Sequence, residues 1–408
     1  MFIHRSASRG LWVGIAVAWL CNGMAHGGEP VSSAQAQIVA RTVTTPAATD
    51  IYQAAAFADV PGWPADDHTS AFTAFRRSCA RLIEPAKPAQ SPADRLLEVC
   101  ARAADLPAQP SPVAARAFFE QNFIPHRVRR TSAPGLLTAY YEPVVPGARS
   151  PSKAYPVPLH RRPADLVNLV DEADRASKPA ALTHARQTGA TRAPYATRQD
   201  IDQGALANQN LELFYVADEV ERFFLQVQGS GIIQLPDLSR VRITYDGKNG
   251  HPYTSVGRHL IDTGVAAADQ MSLEKLGTWL RADPERGRRA MWQNKSYVFF
   301  REMPGASAPI GVLGVPLTPL RSLAIDPAFH TLGAPIFVDA PDITHITGKP
   351  FRHLMIGQDV GSAIRGPERG DIFAGSGTAA GRIAGITKHP GTFFVLLPKP
   401  LGDPAPKP

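Results

Sequence analysis

The segment at residues 358–377 reads QDVGSAIRGPERGDIFAGSG and places a glycine-rich turn between two aspartates, Asp359 and Asp371. Apolar side chains flank each aspartate, as in short strands that enter and leave a turn. Ile372 and Phe373 follow Asp371 directly, and apolar neighbours desolvate a carboxyl so that it keeps its proton as a general acid. The glycines would let a sugar ring approach the backbone closely. The segment therefore predicts a carboxylate site on a β scaffold.

Two arginines in the same turn leave a second interpretation open. If Arg365 and Arg369 pair with the aspartates, the carboxyls are structural and their pKa falls. Ion pairs that only hold a turn together also perturb pKa values. Composition alone therefore does not separate a catalytic acid from an ion-paired turn.

The rest of the chain has the composition of a loop-rich β protein. Its 408 residues exceed one ordinary core, so two domains are expected. The 38 prolines and 33 glycines separate short β-branched and aromatic runs. Strands are predicted at residues 136–143, 223–227, 241–245, 297–300, 323–325, 336–338, 354–356, 371–373 and 392–397, with a turn at 246–250 and helices at 256–261 and 272–280. This spacing favours a small barrel or sandwich.

The N-terminal third has a helical pattern of apolar residues instead of short β runs. Apolar residues recur at helical spacing over residues 65–84, from about residue 93 onward and over 113–122. Cys79 and Cys100 fall in the first two of these predicted helices. In an oxidising compartment they can form a disulfide that closes a loop of about 20 residues and stabilises the fold by roughly 3 kcal/mol. The alternative is two buried free thiols.

Residues 1–27 have the features of a secretory signal peptide. Arg5 and Arg9 form a basic start, an apolar stretch follows, and small residues offer a cleavage site. The apolar stretch is short for a transmembrane helix, although an uncleaved anchor or a misassigned start remains an alternative. Cys21 raises the question of a lipid anchor, but Leu20 stands where a small residue is usual, which favours a product without lipid.

The overall balance of residues excludes some function classes. Apolar residues make up 44% and charged residues 19%, which is ordinary for a globular protein. The formal charge is +7, and removal of Arg5 and Arg9 with the signal lowers it by two. Such an excess suits an anionic polymer or surface, or serves solubility alone. No basic run or zinc spacing accompanies it, so neither nucleic acid nor a metal is expected as a ligand.

Two further clusters offer groups that bind sugars. Glutamine amides in QVQGSG, residues 226–231, can bond hydroxyl and acetamido groups, although a hairpin turn is the plainer interpretation. The glycine spacing around Ser230 does not fit the nucleophile elbow of a serine hydrolase. Tyr140 and Tyr141 point to opposite faces of a predicted strand, so one can pack in the core while the other stacks on a sugar.

Taken with these clusters, the sequence resembles the MltA family of membrane-bound lytic murein transglycosylases. Four motifs occur in the family's order: LTAYYEP at 137–143, FFLQVQGSG at 223–231, YDGKNGHPY at 245–253 and the aspartate segment at 359–377. The last motif also resembles the three-aspartate, or 3D, domain. The resemblance covers roughly residues 135–398.

This resemblance implies a mainly β fold. A double-psi β-barrel domain is interrupted by an inserted second β domain, with a groove between them and some helices at the N-terminal end. The implied division is a signal peptide at 1–27, a helical segment with the first part of the barrel at 28–143, the insert at 144–303, the remainder of the barrel at 304–398 and a proline-rich tail at 399–408.

The resemblance also implies a function. The family cleaves the β-1,4 bond between N-acetylmuramic acid and N-acetylglucosamine in peptidoglycan, leaves 1,6-anhydro ends and serves cell-wall turnover. Asp371 matches its single acid and base, and Asp359 matches the companion aspartate. The positions matching its groove are Thr138, Tyr140, Gln228, Ser230, Asn249 and Tyr253.

Further expectations concern cofactors, partners and location. No cofactor or metal is expected. The partner is the glycan strand, with cell-wall synthesis or division proteins as further candidates, and the protein is expected to be a monomer. Its expected place is the periplasm of a Gram-negative bacterium, with outer-membrane association as an alternative.

Two departures from the family pattern bear on these expectations. Ser362 replaces a usual glycine, and Ala374 stands where an aromatic residue often contributes sugar stacking. A non-catalytic glycan-binding protein, in which Arg365 and Arg369 neutralise the aspartates, is the competing hypothesis.

Overall fold

The computed structural model describes residues 51–82, 92–129, 135–170, 182–267 and 272–400. The predicted signal peptide and all but the start of the predicted tail lie outside these residues. The strands are β1 Tyr52–Ala54, β2 Phe123–Val128, β3 Leu136–Glu142, β4 Val144–Ala148, β5 Val157–His160, β6 Leu166–Asn168, β7 His184–Thr188, β8 Thr191–Ala193, β9 Glu212–Val216, β10 Ser230–Gln234, β11 Arg240–Lys248, β12 Val298–Glu302, β13 Ser322–Ile325, β14 Pro335–Ala340, β15 Phe351–Val360, β16 Arg369–Ser376, β17 Lys388–His389 and β18 Thr392–Pro398. The helices are α1 His68–Leu82, α2 Pro92–Ala104, α3 Pro112–Asn122, α4 Arg198–Asp200, α5 Glu219–Gln228, α6 Val256–Asp262, α7 Leu273–Ala282, α8 Pro284–Met291 and α9 Gly377–Ile386. The mainly β class with N-terminal helices is confirmed.

The largest sheet takes its strands from both ends of the described chain. Its nine strands run in the order β1-β2-β18-β14-β15-β13-β16-β3-β17. A six-stranded sheet, β12-β11-β10-β4-β9-β5, and a three-stranded sheet, β6-β7-β8, use only strands that lie between β3 and β13 in sequence. The chain therefore leaves the large sheet after β3 and re-enters it at β13. The predicted domain boundaries themselves stay a prediction.

The three N-terminal helices cover one part of the large sheet. Apolar side chains of α1, α2 and α3 form one buried cluster with Leu354 and Ile356 of β15 and with Phe394 of β18. Cys79 and Cys100 form a disulfide between α1 and α2. Gln358 of β15 reinforces this packing, because its amide nitrogen donates to the Ala74 carbonyl at 2.9 Å. None of the helices in the described ranges is long and apolar enough to span a bilayer.

The prediction of a strand at residues 223–227 is wrong, because this run lies inside helix α5. The Asp218 side chain caps the start of α5 by accepting from the Glu221 amide at 2.7 Å, and Gly229 ends it with a φ of 76°. Phe223 packs among α6, α7 and α8, whereas Leu225 packs against the six-stranded sheet. A five-residue run with four apolar side chains fits a buried strand and a helix equally well, so periodicity could not decide.

Strand β11 also differs from expectation. It continues to Lys248, through residues predicted as a turn, and its register shifts between Tyr245 and Gly247. Gly247 has a φ of 141°, which glycine adopts without the penalty that a side chain brings. The glycine thus serves a β-bulge rather than a chain reversal.

A buried ion pair joins the two larger sheets. Glu142, at the end of β3, is completely buried and accepts from Arg242 of β11, Nε to Oε1 at 2.6 Å and Nη2 to Oε2 at 3.0 Å. Ser376 at the end of β16 donates to the same carboxylate at 2.6 Å. One carboxylate therefore fixes the ends of β3 and β16 against β11.

This geometry predicts that Arg242→Met strongly destabilises the protein. The substitution leaves Glu142 buried without its cation, which costs about 3 kcal/mol or more. The matched control is Arg149→Met, which removes a pair with Glu302 whose arginine side chain is 53% exposed, and should cost under about 1 kcal/mol. Urea unfolding at pH 7 measures both free energies. Equal losses for the two variants would contradict the structural role of Glu142.

Candidate active site

A cleft of about 940 Å³ lies between the nine-stranded and six-stranded sheets. One wall consists of residues from β3, β15 and β16, and the other of residues from α5, β10, β11 and the segment that leads into α6. Asp359 and Asp371 are both in the first wall. The 358–377 segment thus reaches the cleft through the two strands on either side of its turn.

Asp371 is held by strand pairing. It lies on β16 opposite Ala324 of β13 and opposite Thr138 of β3, which runs parallel to β16. The Thr138 hydroxyl donates to Asp371 Oδ1 at 2.5 Å. Because neighbouring strands on both sides fix the backbone, the carboxyl has little freedom to leave the cleft wall.

The environment of Asp371 favours its protonated form. Burial raises the pKa of Asp371, Arg369 and the Thr138 hydroxyl oppose the rise, the nearby charge of Asp359 adds to it, and the net pKa is about 6. The side chain nevertheless remains partly exposed to the cleft. A carboxyl that is protonated near neutral pH and open to a cleft can donate a proton to a ligand.

Asp359 has a different environment. Its Oδ1 accepts from the backbone amides of Val312 at 3.1 Å and Val360 at 3.0 Å, and its Oδ2 accepts from the Tyr140 hydroxyl at 2.9 Å. Donors on both oxygens stabilise the charged carboxylate. The two aspartates are therefore unequal: Asp371 can carry a proton, and Asp359 is a fixed negative charge beside it.

The two arginines of the turn do not act as the ion-paired alternative expects. Arg365 Nη1 lies 3.9 Å from Asp326 Oδ1. Arg369 donates to the Thr138 hydroxyl at 2.9 Å and to the Leu136 carbonyl at 3.4 Å. Its charge lowers the pKa of Asp371 but does not outweigh burial.

Five of the six predicted groove residues line the cleft: Thr138, Tyr140, Gln228, Ser230 and Tyr253. Two of these are bonded to the aspartates, since Thr138 contacts Asp371 and Tyr140 contacts Asp359. Gln228 accepts from the Tyr141 amide at 3.0 Å, which links α5 to β3.

Asn249 is the one predicted groove residue that does not line the cleft. It is completely buried, and its amide nitrogen donates to the carbonyls of Ala196 and Lys295, both at 2.8 Å. Its side-chain oxygen accepts from the Tyr297 amide at 2.9 Å. Asn249 therefore joins the backbone at Ala196 to the segment at Lys295 and Tyr297, because backbone groups use both ends of its amide.

Arg198 is a cleft residue that sequence reasoning missed. Its buried guanidinium donates to Gln226 Oε1 at 2.6 Å and to the carbonyls of Asn294 and Ser296. It also lies 4.9 Å from the centre of the Phe223 ring. The surrounding sequence is basic and irregular and carries no periodic signal. Only the fold brings a cation here.

The described part of the chain contains no group of three or more histidine, cysteine, aspartate or glutamate side chains that could hold a metal ion.

Two family models match this chain. Residues 136–301 match the MltA specific insert domain, and residues 321–397 match the 3D domain. The membrane-bound lytic murein transglycosylase A of Vibrio cholerae is 31% identical over 267 residues, which are 64% of this chain and 65% of that protein. The Escherichia coli K12 protein of the same name is 31% identical over 269 residues, 64% of this chain and 66% of its own length. The match thus spans slightly less than two thirds of either relative.

Solved structures resemble the fold over more of the chain. The membrane-bound lytic murein transglycosylase from Agrobacterium tumefaciens has a TM-score of 0.77 and 36% identity, over 85% of this chain and 97% of that one. Escherichia coli MltA with bound chitohexaose has a TM-score of 0.60 and 26% identity, over 82% and 89% of the two chains.

The raised pKa of Asp371 predicts a pH-dependent effect of Asp371→Asn on stability. The folded-state pKa of about 6 exceeds the unfolded value, so the folded protein binds more protons between about pH 4 and 6 and loses stability as pH rises through this window. Asn does not ionise, so the variant should gain roughly 1–3 kcal/mol relative to the parent between pH 4 and pH 7.5. Urea unfolding at both pH values measures this.

The control is Asp339→Asn, which removes a carboxylate that accepts from Arg352 at 2.9 Å and does not line the cleft. This variant should show no gain at pH 7.5. If Asp371→Asn loses stability as pH rises, the carboxyl is stabilised as an ion and is not a proton donor.

Proposed function

This chain belongs to the MltA family and carries a 3D domain, and from its cleft we propose that it is a peptidoglycan lytic transglycosylase. The observation that carries the proposal is the unequal pair of carboxyls. Asp371 has a pKa raised to about 6 and faces the cleft, and Asp359 accepts three hydrogen bonds. The relatives bear the name lytic murein transglycosylase A, and one of them has been crystallised with chitohexaose.

The proposed reaction uses one carboxyl twice. Protonated Asp371 donates to the glycosidic oxygen between N-acetylmuramic acid and N-acetylglucosamine, and the bond from that oxygen to C1 breaks. The C6 hydroxyl oxygen of the muramoyl residue forms a bond to C1, and its proton passes to the Asp371 carboxylate. The acid is regenerated, no water is consumed, and the product has a 1,6-anhydro end.

The proposed role of Asp359 is electrostatic. Hydrolases of glycosidic bonds commonly use a second carboxylate as a base or a nucleophile. Asp359 is poorly suited to either task, because donors already occupy both of its oxygens. Its negative charge instead favours the protonated form of Asp371 and would stabilise positive charge that develops on the sugar.

The proposed substrate contacts are polar and aromatic groups of the opposite wall. Gln228 uses its carbonyl oxygen for the Tyr141 amide, which leaves its amide hydrogens available for sugar hydroxyl or acetamido groups. Ser230 and Tyr253 line the same cleft. Seven cationic side chains also line it, against two carboxylates: Arg198, Lys248, Arg258, Arg301, Arg365, Arg369 and Lys388. This excess favours a glycan that bears carboxylates.

The proposed location is the periplasm, on the grounds of the signal-like sequence at residues 1–27. The names of the relatives suggest association with a membrane. The mass of the mature N-terminus would show whether the signal is removed and whether Cys21 carries a lipid. We further propose that cell-wall synthesis or division proteins are partners and that the protein is a monomer.

The activity is tested by digestion of purified sacculi with the parent protein and with Asp371→Asn. We expect the parent to release muropeptides with anhydro ends, identified by mass, and the variant to lose at least about 100-fold in rate. Asp339→Asn, outside the cleft, should keep the parent's rate. Products with reducing ends would indicate a hydrolase, and a fully active Asp371→Asn would exclude this residue as the acid. Sacculus binding without any turnover would support the competing glycan-binding function.

The pH dependence of kcat/KM gives an independent test. An acid with a pKa of about 6 is protonated below that pH, so kcat/KM should be highest there and should fall as pH rises through 6. Asp359→Asn removes a charge that raises the pKa of Asp371, so the descending limb should move to lower pH. A limb that stays in place, or activity that increases with pH, would contradict the proposed division of roles.

A further inference from the structure

Three side chains beside the cleft form a chain of hydrogen bonds with a defined direction. Arg369 Nη2 donates to Thr138 Oγ1 at 2.9 Å, and Thr138 Oγ1 donates to Asp371 Oδ1 at 2.5 Å. A guanidinium has no lone pair and can only donate. Thr138 must therefore accept from Arg369, and its single hydrogen is left for another partner.

Strand geometry makes this arrangement a built feature. Arg369 and Asp371 are two residues apart on β16 and so face the same side, and Thr138 is the residue of β3 that lies opposite Asp371. Arg369 is further held by the carbonyls of Gly370 and, at 3.4 Å, Leu136. Backbone partners on two strands thus aim the guanidinium at the Thr138 oxygen.

The direction of the chain distinguishes the two oxygens of Asp371. With Thr138 donating, Oδ1 is an acceptor, and a proton on Oδ1 would face the threonine hydrogen. The alternative, in which Asp371 donates to Thr138, would turn the threonine hydrogen away from the acceptor that Oδ1 provides. The first arrangement keeps the threonine hydrogen in a bond and leaves Oδ2 for the transferable proton.

We propose that Thr138 and Arg369 are positioning residues that reserve Oδ1 of Asp371 as a hydrogen-bond acceptor and so place the transferable proton on Oδ2. This inference rests on the proposed function. It replaces the substrate contact predicted for Thr138 with a role through Asp371. It also gives Arg369 a purpose other than neutralising the aspartates.

Other charged and titratable groups act on Asp371 as well. Asp359 on β15 raises its pKa. Tyr140 on β3 and Tyr253 before α6 are close enough to feel its charge. Lys388 lies opposite Thr138 in the antiparallel pairing of β17 with β3, and it lines the same cleft. The test must therefore compare variants that leave all of these groups in place.

Thr138→Val removes the hydroxyl with little change of shape, and Thr138→Ser restores it. On soluble glycan strands we expect Thr138→Val to lose about 10- to 100-fold in kcat, part of what a positioned acid contributes, with KM within about twofold of the parent. The Thr138 bond lowers the pKa of Asp371, so its loss should move the descending limb of the pH–rate profile to higher pH. Thr138→Ser should recover both the rate and the limb.

Arg369→Met should move the limb in the same direction, because the cation also lowers the pKa of Asp371. The control Thr347→Val, at an exposed threonine outside the cleft, should leave rate and limb unchanged. If Thr138→Val raises KM and leaves kcat and the pH limb unchanged, Thr138 binds substrate and the proposal fails while the transglycosylase function stands.

A readout independent of turnover completes the test. The stability difference between Asp371 and Asp371→Asn changes with pH at the pKa of Asp371, and urea unfolding in the Thr138→Val background locates it. A pKa of Asp371 that is higher in the Thr138→Val background than in the parent background supports the Thr138–Asp371 bond. An unchanged pKa overturns the proposal, even if the parent has no detectable transglycosylase activity.

Discussion

The parallel pairing of β3 with β16 is the constraint on which the rest of the site depends. Alternate residues of β3 share one face, and each holds a different part of the cleft. Thr138 contacts Asp371, Tyr140 contacts Asp359, and Glu142 binds Arg242 and Ser376. Seven residues of one strand therefore place the partners of Asp371, of Asp359 and of Arg242 in a single register. A shift by one residue would turn all three side chains of β3 to its opposite face.

The two aspartates differ because of the number and kind of their donors. Asp359 collects two backbone amides and a phenol, whereas Asp371 has one hydroxyl beside a buried surface and a guanidinium aimed at that hydroxyl. Both residues are aspartates, so residue type alone does not distinguish them. The two environments therefore differ because Asp359, next to the end of β15, meets the Val312 amide of the segment between β12 and β13, whereas Asp371 lies on β16 between two strands in the interior of the sheet.

The sequence predicted the features that depend on residues close together in the chain. The three N-terminal helices and most strands of the large sheet were recognisable because each has its own periodicity and flanking turn residues. The apolar neighbours of Asp371 indicated its desolvation. Local sequence could not reveal that Thr138 would bond to Asp371, 233 positions away. Nor could it show that the polar Asn249 would be wholly buried, or that the mostly apolar run at residues 223–227 would lie in α5.

A pKa near 6 is the value that a single acid and base requires. A carboxyl at its ordinary pKa would be ionised near neutral pH and unable to donate. A carboxyl whose pKa is raised much further would be a weaker acid and would donate less readily to the glycosidic oxygen. Burial and Asp359 raise the pKa of Asp371, while Arg369 and Thr138 lower it, and the balance is about 6. In the proposed reaction, Arg369 thus helps to set the pKa that one carboxyl needs for both steps.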